Sequence, residues 1–282
     1  MEFPSERTQG ASNQGYASVA IGPFAGSVNQ QGSSVAIGYS AGSSTQQYQA
    51  VSIGYQAGAN NQGTNSIAIG ANAGQSNQST SCIAIGYQAG QTNQNVYGVA
   101  IGYGAGQYSQ GFNSIALGYQ AGQTNQSTSC IALGYQAGQT NQNVYGVAIG
   151  YQAGQNSQSQ NAIAIGFNAG QASQNAYGIS IGNYAGYNSQ GNSAVSLGYF
   201  AGEFDQASNA IAIGSNAGNL YQNQYGIAIG YQAGQNTQGS YSVAIGFQAG
   251  QTTQNANTII LNANSSALNS GTTGAFYVSP IR

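Results

Sequence analysis

The chain follows a 16-residue period without an insertion or deletion, and this regularity constrains the fold more than any other feature. Fifteen copies occupy 19–258 and follow the template [VI]-[AS]-[IL]-G-[YF]-x-A-G-x-x-x-Q-x-x-x-small. Positions are numbered 1 to 16 within each copy. Gly at position 4, Ala-Gly at positions 7 and 8 and Gln at position 12 occur in every copy. The shared residues indicate that every copy adopts the same backbone conformation. The copies begin at Val19, Val35, Val51, Ile67, Ile83, Val99, Ile115, Ile131, Val147, Ile163, Ile179, Val195, Ile211, Ile227 and Val243.

Each copy has the residues of one solenoid coil. Positions 1 to 3 alternate as a short strand does, and the apolar residues at 1, 3 and 7 do not match the spacing of an amphipathic helix. We therefore predict an all-β fold, a parallel β-solenoid (β-roll) of fifteen 16-residue coils with equivalent positions stacked above one another. Glycines 4 and 8 are expected at corners with positive φ. The predicted organisation is an N-terminal cap or partial repeat over 1–18, the solenoid over 19–258 and a C-terminal cap or exit segment over 259–282.

The strand alternation also predicts an inside and an outside. We expect the large aliphatic residues at positions 1 and 3 to be buried, two in each coil, which makes a thin core. Position 2 is always Ala or Ser. This smooth face is predicted to be a subunit contact, and the alternative is a solvent-facing ladder of small residues.

Position 12 predicts a structural column of amides, because stacked Gln side chains can hydrogen-bond from coil to coil. This column comprises Gln30, Gln46, Gln62, Gln78, Gln94, Gln110, Gln126, Gln142, Gln158, Gln174, Gln190, Gln206, Gln222, Gln238 and Gln254.

Position 5 predicts a column of aromatic rings that either stack on one another and pack against a partner subunit or bind glycans. The column comprises Tyr39, Tyr55, Tyr87, Tyr103, Tyr119, Tyr135, Tyr151, Tyr199 and Tyr231, with Phe167 and Phe247 at equivalent places.

The composition argues against several functions. The chain has no His, no Lys, no Trp and only six charged residues, so we expect no enzyme activity, no cofactor and no metal site. Two basic residues cannot neutralise a phosphate backbone, and no apolar run is long enough to span a membrane. The loop from Glu203 to Asp205 is expected to be a solvated turn, or else a contact for a cation or a receptor. Cys82 and Cys130, both at position 16, lie three coils apart and should not form a disulfide.

The strand motif resembles a known repeat. NSIAIG (Asn65–Gly70), NSIALG (Asn113–Gly118) and NAIAIG (Asn161–Gly166 and Asn209–Gly214) resemble the head repeats of YadA-type trimeric autotransporter adhesins. The resemblance implies a left-handed parallel β-roll that assembles as a homotrimer on a cell surface. The period of this chain is slightly longer than is common in those heads.

The C-terminal residues resemble a second group. The segment Phe276–Arg282, FYVSPIR, resembles the end of viral and phage tail-fibre and tailspike repeats that precede an auto-cleaving intramolecular chaperone. This resemblance implies a fibre on an extracellular or virion surface, contact with a host glycan or receptor, and a gene that continues past Arg282. The alternatives are a bacterial adhesin head and a self-stacking extracellular filament. An ice-binding solenoid is disfavoured, because Thr occupies position 10 only at Thr92, Thr124, Thr140 and Thr252.

Overall fold

The computed structural model describes residues 12–281, and the described chain is an all-β parallel solenoid without helix. Each coil contributes a strand at positions 1–3 and, in most coils, a second strand at positions 10–12. The chain forms two compact units, Met1–Ser129 and Cys130–Arg282. The charged residues Glu2, Glu6, Arg7 and Arg282 lie outside the described residues.

In the first unit, even-numbered strands form one parallel sheet and odd-numbered strands form a second. Its strands are β1 (Ser12–Gln14), β2 (Val19–Ile21), β3 (Val28–Gln30), β4 (Val35–Ile37), β5 (Ser44–Gln46), β6 (Val51–Ile53), β7 (Asn60–Gln62), β8 (Ile67–Ile69), β9 (Ser76–Gln78), β10 (Ile83–Ile85), β11 (Thr92–Gln94), β12 (Val99–Ile101), β13 (Tyr108–Gln110), β14 (Ile115–Leu117) and β15 (Thr124–Gln126). Pairing is in register from one coil to the next, as in Ala84 opposite Ala100.

The second unit also contains two parallel sheets, a first sheet from positions 1–3 and a second sheet from positions 10–12. Its second sheet is interrupted near Phe204. Its strands are β16 (Ile131–Leu133), β17 (Thr140–Gln142), β18 (Val147–Ile149), β19 (Asn156–Gln158), β20 (Ile163–Ile165), β21 (Ala172–Gln174), β22 (Ile179–Ile181), β23 (Asn188–Gln190), β24 (Val195–Leu197), β25 (Ile211–Ile213), β26 (Leu220–Gln222), β27 (Ile227–Ile229), β28 (Asn236–Gln238), β29 (Val243–Gly246), β30 (Ile259–Asn262) and β31 (Phe276–Ser279). The first sheet contains β16, β18, β20, β22, β24, β25, β27, β29, β30 and β31.

The predicted register and corners are confirmed within each unit. Gly22, Gly38 and Gly54 follow one another in contact, and all have positive φ. A Cβ added to Gly150 would lie 2.5 Å from the carbonyl oxygen of Gly166. Position 4 therefore requires Gly for both its backbone conformation and the close approach of the next coil.

The prediction for the core was wrong, because the strand faces the opposite way. Position 2 is buried from Ala36 onward, whereas the aliphatic residues at positions 1 and 3 are half-buried or exposed. The interior is lined by the small residues at positions 2, 7 and 16 and by the position-12 Gln. The Ala/Ser face consequently cannot be a subunit contact. The position-12 Gln side chains fill much of the interior of each regular coil, so Ala or Ser fits beside them at position 2 and a large aliphatic side chain does not.

The C-terminal segment continues the first sheet. Strand β30 pairs with β29, and β31 pairs with β30, which places Tyr277 opposite Ile260. Ile260 occupies the place of the interior Ala of earlier coils and is completely buried. Leu268 and Tyr277 pack against the cluster that contains Ile260. This larger apolar side chain closes the interior at the last regular coil.

Candidate binding surfaces

The Gln column forms a buried hydrogen-bonded ladder in each unit. In the second unit, the Nε2 of Gln142 donates to Oε1 of Gln158 at 3.0 Å, and that of Gln158 donates to Gln174 at 3.2 Å. Gln158 Nε2 also donates to the carbonyl oxygens of Val147 and Ala162, at 2.8 and 3.1 Å. The amide thus fills the roll and satisfies backbone acceptors inside it. Its partners are all within the protein, so the ladder offers nothing to a ligand.

A second amide ladder runs along the surface at positions 6 and 9, and the sequence reasoning missed it. Gln107 Nε2 donates to Oε1 of Gln91 at 2.9 Å and to Oε1 of Gln88 at 3.1 Å. Gln155 makes the same pair of contacts in the second unit, with Gln139 and Gln136. The recurrence of Gln at these two positions in neighbouring coils was the available signal. This ladder is also satisfied internally.

The position-5 tyrosines stack in short runs, and each keeps about half of its surface exposed. Ring centroids lie 5.0 Å apart for Tyr87 and Tyr103 and 4.9 Å apart for Tyr135 and Tyr151, with interplanar angles of 22° and 5°. Within a run, the ring faces cover one another, so mainly edges and hydroxyls point outward. Tyr199 instead packs edge-on against Phe200, with centroids 4.1 Å apart.

The runs are separated where position 5 is not aromatic, at Ala71, Asn183 and Ser215. The stacked pairs are Tyr39–Tyr55, Tyr87–Tyr103, Tyr103–Tyr119, Tyr135–Tyr151, Tyr151–Phe167 and Tyr231–Phe247.

The outward aliphatic residues form an apolar face on the first sheet of each unit. Leu117 and Leu133 are each 39% exposed, and Leu197 is 42% exposed. Val, Ile or Leu stands at positions 1 and 3 of every coil, so the face is repeated along the sheet. An apolar surface of this regularity is typical of a protein contact.

The coil that begins at Val195 matches the sequence template but lacks the second strand, and it carries the only charged side chains among residues 12–281. Glu203 replaces the position-9 Gln, and burial raises the pKa of its carboxyl group, while a hydrogen bond from Asn219 opposes the shift. Asn219 Nδ2 donates to Glu203 Oε2 at 2.8 Å. Tyr187 and Phe204 pack edge to face beside it, with centroids 5.9 Å apart.

Neither cysteine is in a disulfide bond, in agreement with the prediction. Burial raises the pKa of the Cys82 thiol from 9.0 to about 11. The part of the chain that the structure describes holds no group of three or more His, Cys, Asp or Glu side chains able to bind a metal ion. Nor does that part contain a helix long and apolar enough to cross a membrane.

No protein-family model matches the chain, and no similar sequence was found among the curated proteins.

Proposed function

We propose that this chain is a rigid, non-enzymatic segment of an extracellular fibre on a virus or phage-like particle, assembled as a homotrimer and directed at host surface glycans or receptors. The observation that carries the proposal is that the first sheet turns its large aliphatic side chains outward and its small side chains inward. The interior is filled by Ala, Ser and Gln, while the Val, Ile and Leu side chains face outward. Such a surface gains stability when a second copy covers it.

The number of copies and the type of particle come from the two sequence resemblances. The strand motif resembles the heads of trimeric adhesins, and the Phe276–Arg282 segment resembles the end of viral and phage fibre repeats. The scarcity of charged residues and the absence of His support a structural role over an enzymatic one. A bacterial adhesin head remains the alternative within the same architecture, and the fibre-like C-terminal motif favours the virus or phage-like particle.

The mass in solution tests the assembly. We expect light scattering to give three times the 28.5 kDa of one chain. Ile165→Lys places a charge on the aliphatic face and should yield monomers or aggregates. Asn156→Lys, on the exposed surface of β19 in the preceding coil, is the matched control and should stay trimeric. A monodisperse, folded 28.5 kDa species for the unaltered chain would overturn the proposal.

A further inference from the structure

A polar groove lies on the second unit and includes residues of the coil that begins at Val195, which lacks the second strand. The groove has a volume of about 510 Å³. Its lining comes from positions 11 to 14 of neighbouring coils. The polar residues of the lining include Ser189, Asp205, Ser208, Asn223, Gln224 and Ser240.

The polar groups on the floor of the groove form hydrogen bonds within the protein. The backbone N–H of Gly191 donates to the carbonyl oxygen of Gln206 at 2.7 Å, and that of Ala207 donates to Gln222 at 2.8 Å. Asn223 Nδ2 donates to the backbone carbonyl of Gln238 at 3.0 Å. These bonds fix the shape of the groove before any ligand enters, which lowers the entropic cost of binding.

The walls are different, because they carry polar groups without partners. Within residues 12–281, the Asp205 carboxylate, the Gln224 amide and the Ser240 hydroxyl make no side-chain hydrogen bond. The surface amides at positions 6 and 9 elsewhere bond to one another. Two acceptors, an amide donor and hydroxyl groups therefore converge on one concave surface, as in sites that orient a small polar ligand.

The charge of the site selects the ligand. Glu203 and Asp205 are the only charged side chains among residues 12–281, so no cation offsets them there. An anionic ligand would be repelled, whereas hydroxyl or amine groups can donate to the carboxylate. Tyr225 and Tyr241 directly follow Gln224 and Ser240 and stack with centroids 5.0 Å apart. Exposed aromatic rings beside polar groups suit the mixed polar and apolar surface of a sugar.

We propose that this groove binds an uncharged or amine-bearing saccharide, with Asp205 and Gln224 accepting and donating hydrogen bonds to its hydroxyl groups. The proposal rests on the proposed function, since it names the glycan class and the place at which a host-directed fibre would engage it.

Saturation-transfer NMR and calorimetry on the full chain test the site, with lactose, chitobiose, mannobiose and glucosamine as neutral and amine probes and sialyllactose as the anionic probe. At least one neutral or amine probe should bind, and sialyllactose should bind more weakly. Asp205→Asn and Gln224→Ala should each weaken the bound probe by about ten-fold, as expected for the loss of hydrogen bonds to polar groups. Asn tolerates the φ of +51° at position 205, so the fold is retained.

Two controls separate the groove from its surroundings. Ser173→Ala changes the same coil position two coils earlier, and Glu203→Gln removes the neighbouring charge outside the groove lining. Both should change affinity by less than about two-fold. Binding that persists in the Asp205 and Gln224 variants, or binding by sialyllactose alone, would place recognition elsewhere and overturn the groove. Absence of binding by every probe would also overturn the proposed saccharide site. The proposed homotrimer is tested separately, by the mass in solution.

Discussion

The invariant residues of the repeat are those on which the interior of the roll depends. Gly at position 8 leaves room for the Gln amide, since a Cβ on Gly138 would lie 2.8 Å from Oε1 of Gln142. The amide in turn satisfies two backbone carbonyls and its neighbour in the next coil. Positions 1 and 3 vary among Val, Ile and Leu because they face outward and meet no such restriction.

We expect Gly150→Ala to destabilise the protein by about 3 kcal/mol or more. The residue has φ of +130°, which costs any other residue about 1–3 kcal/mol, and the new Cβ would also collide with the Gly166 carbonyl. Gly104→Gln is the matched control. Its φ is +59°, no atom lies within 3.4 Å of the added Cβ, and position 6 is Gln in many coils. Thermal and denaturant unfolding should therefore separate the two glycines, and equal stability losses would contradict the prediction.

We expect Gln158→Leu to destabilise the fold by about 2–4 kcal/mol, because the change removes several hydrogen bonds inside the roll and leaves the buried Oε1 of Gln174 without its donor. The affected groups are the carbonyls of Val147 and Ala162 and the amides of Gln142 and Gln174. Gln160→Leu, at an exposed position, should change stability by less than about 0.5 kcal/mol. Hydrogen exchange should show lost protection in the coils that flank position 158. Unchanged protection there would show that the amide ladder is dispensable.

The thiol of Cys82 should be almost inert in the folded protein. A pKa raised from 9.0 to about 11 lowers the thiolate fraction at pH 8 by about 100-fold, and the thiolate is the reactive form. Because the folded pKa is raised, the stability contributed by the neutral thiol is complete below pH 9 and is lost as pH rises towards 11.

The Cys130→Ala variant isolates the measurement, since Ala occurs at position 16 in several coils. Labelling with a thiol reagent should be slow in buffer and fast in denaturant. Equal rates in both conditions would mean that the thiol is accessible in the native state.

For the strand at positions 1–3, the sequence predicted its place in the coil but not which of its faces is buried. The 16-residue period, the Gly corners and the Gln column follow from residues that every coil shares. The alternation Val-Ala-Ile is equally compatible with either face inward, and a core of large aliphatic residues was predicted because their burial gains more free energy. The available signal was the restricted size of the residues at positions 2, 7 and 16. Only small residues occur there, which indicates a narrow interior. The groove beside Asp205 could not be predicted, because it depends on how loops of four coils lie together.

The C-terminal loop is held by one phenol, and Tyr277→Phe should release it. The Tyr277 hydroxyl oxygen accepts hydrogen bonds from the backbone N–H groups of Gly271 and Thr272, at 2.8 and 3.0 Å. The hydrogen bond with the Thr272 side chain, together with these two backbone contacts, lowers the pKa of Tyr277. The variant should exchange the amide hydrogens of residues 271 and 272 faster, while β29 keeps its protection.

Spectrophotometric titration should also lose one early-ionising tyrosine in the Tyr277→Phe variant. Tyr241→Phe, an exposed tyrosine in a regular coil, is the control and should leave the exchange of residues 271 and 272 unchanged. Unaltered exchange at 271 and 272 in Tyr277→Phe would show that the loop is held by other contacts.

Across the whole molecule, the scarcity of charge predicts a stability that barely depends on pH between 3 and 8. No His is present, and the raised pKa of Glu203 means that its contribution is retained at low pH and lost as pH rises through that pKa. Acid denaturation normally requires carboxylates whose pKa is lowered in the folded state, whereas the pKa of the Glu203 carboxyl group is raised. Circular dichroism should show the same strand signal at pH 3 and pH 8. A cooperative loss of signal between pH 5 and pH 3 would contradict this expectation.

The uniform coil also bears on how such a gene can change. The segments 77–103 and 125–151 are identical except that Ile85 is matched by Leu133, and they are offset by three whole coils. Because in-register pairing joins each coil to the next, copying or deleting any whole number of coils restores the same junctions on both sides. Duplication or deletion of the DNA that encodes whole coils can therefore lengthen or shorten the protein in steps of 16 residues while each coil keeps the same fold. Natural selection can therefore adjust the length of the protein separately from the residues of any one coil.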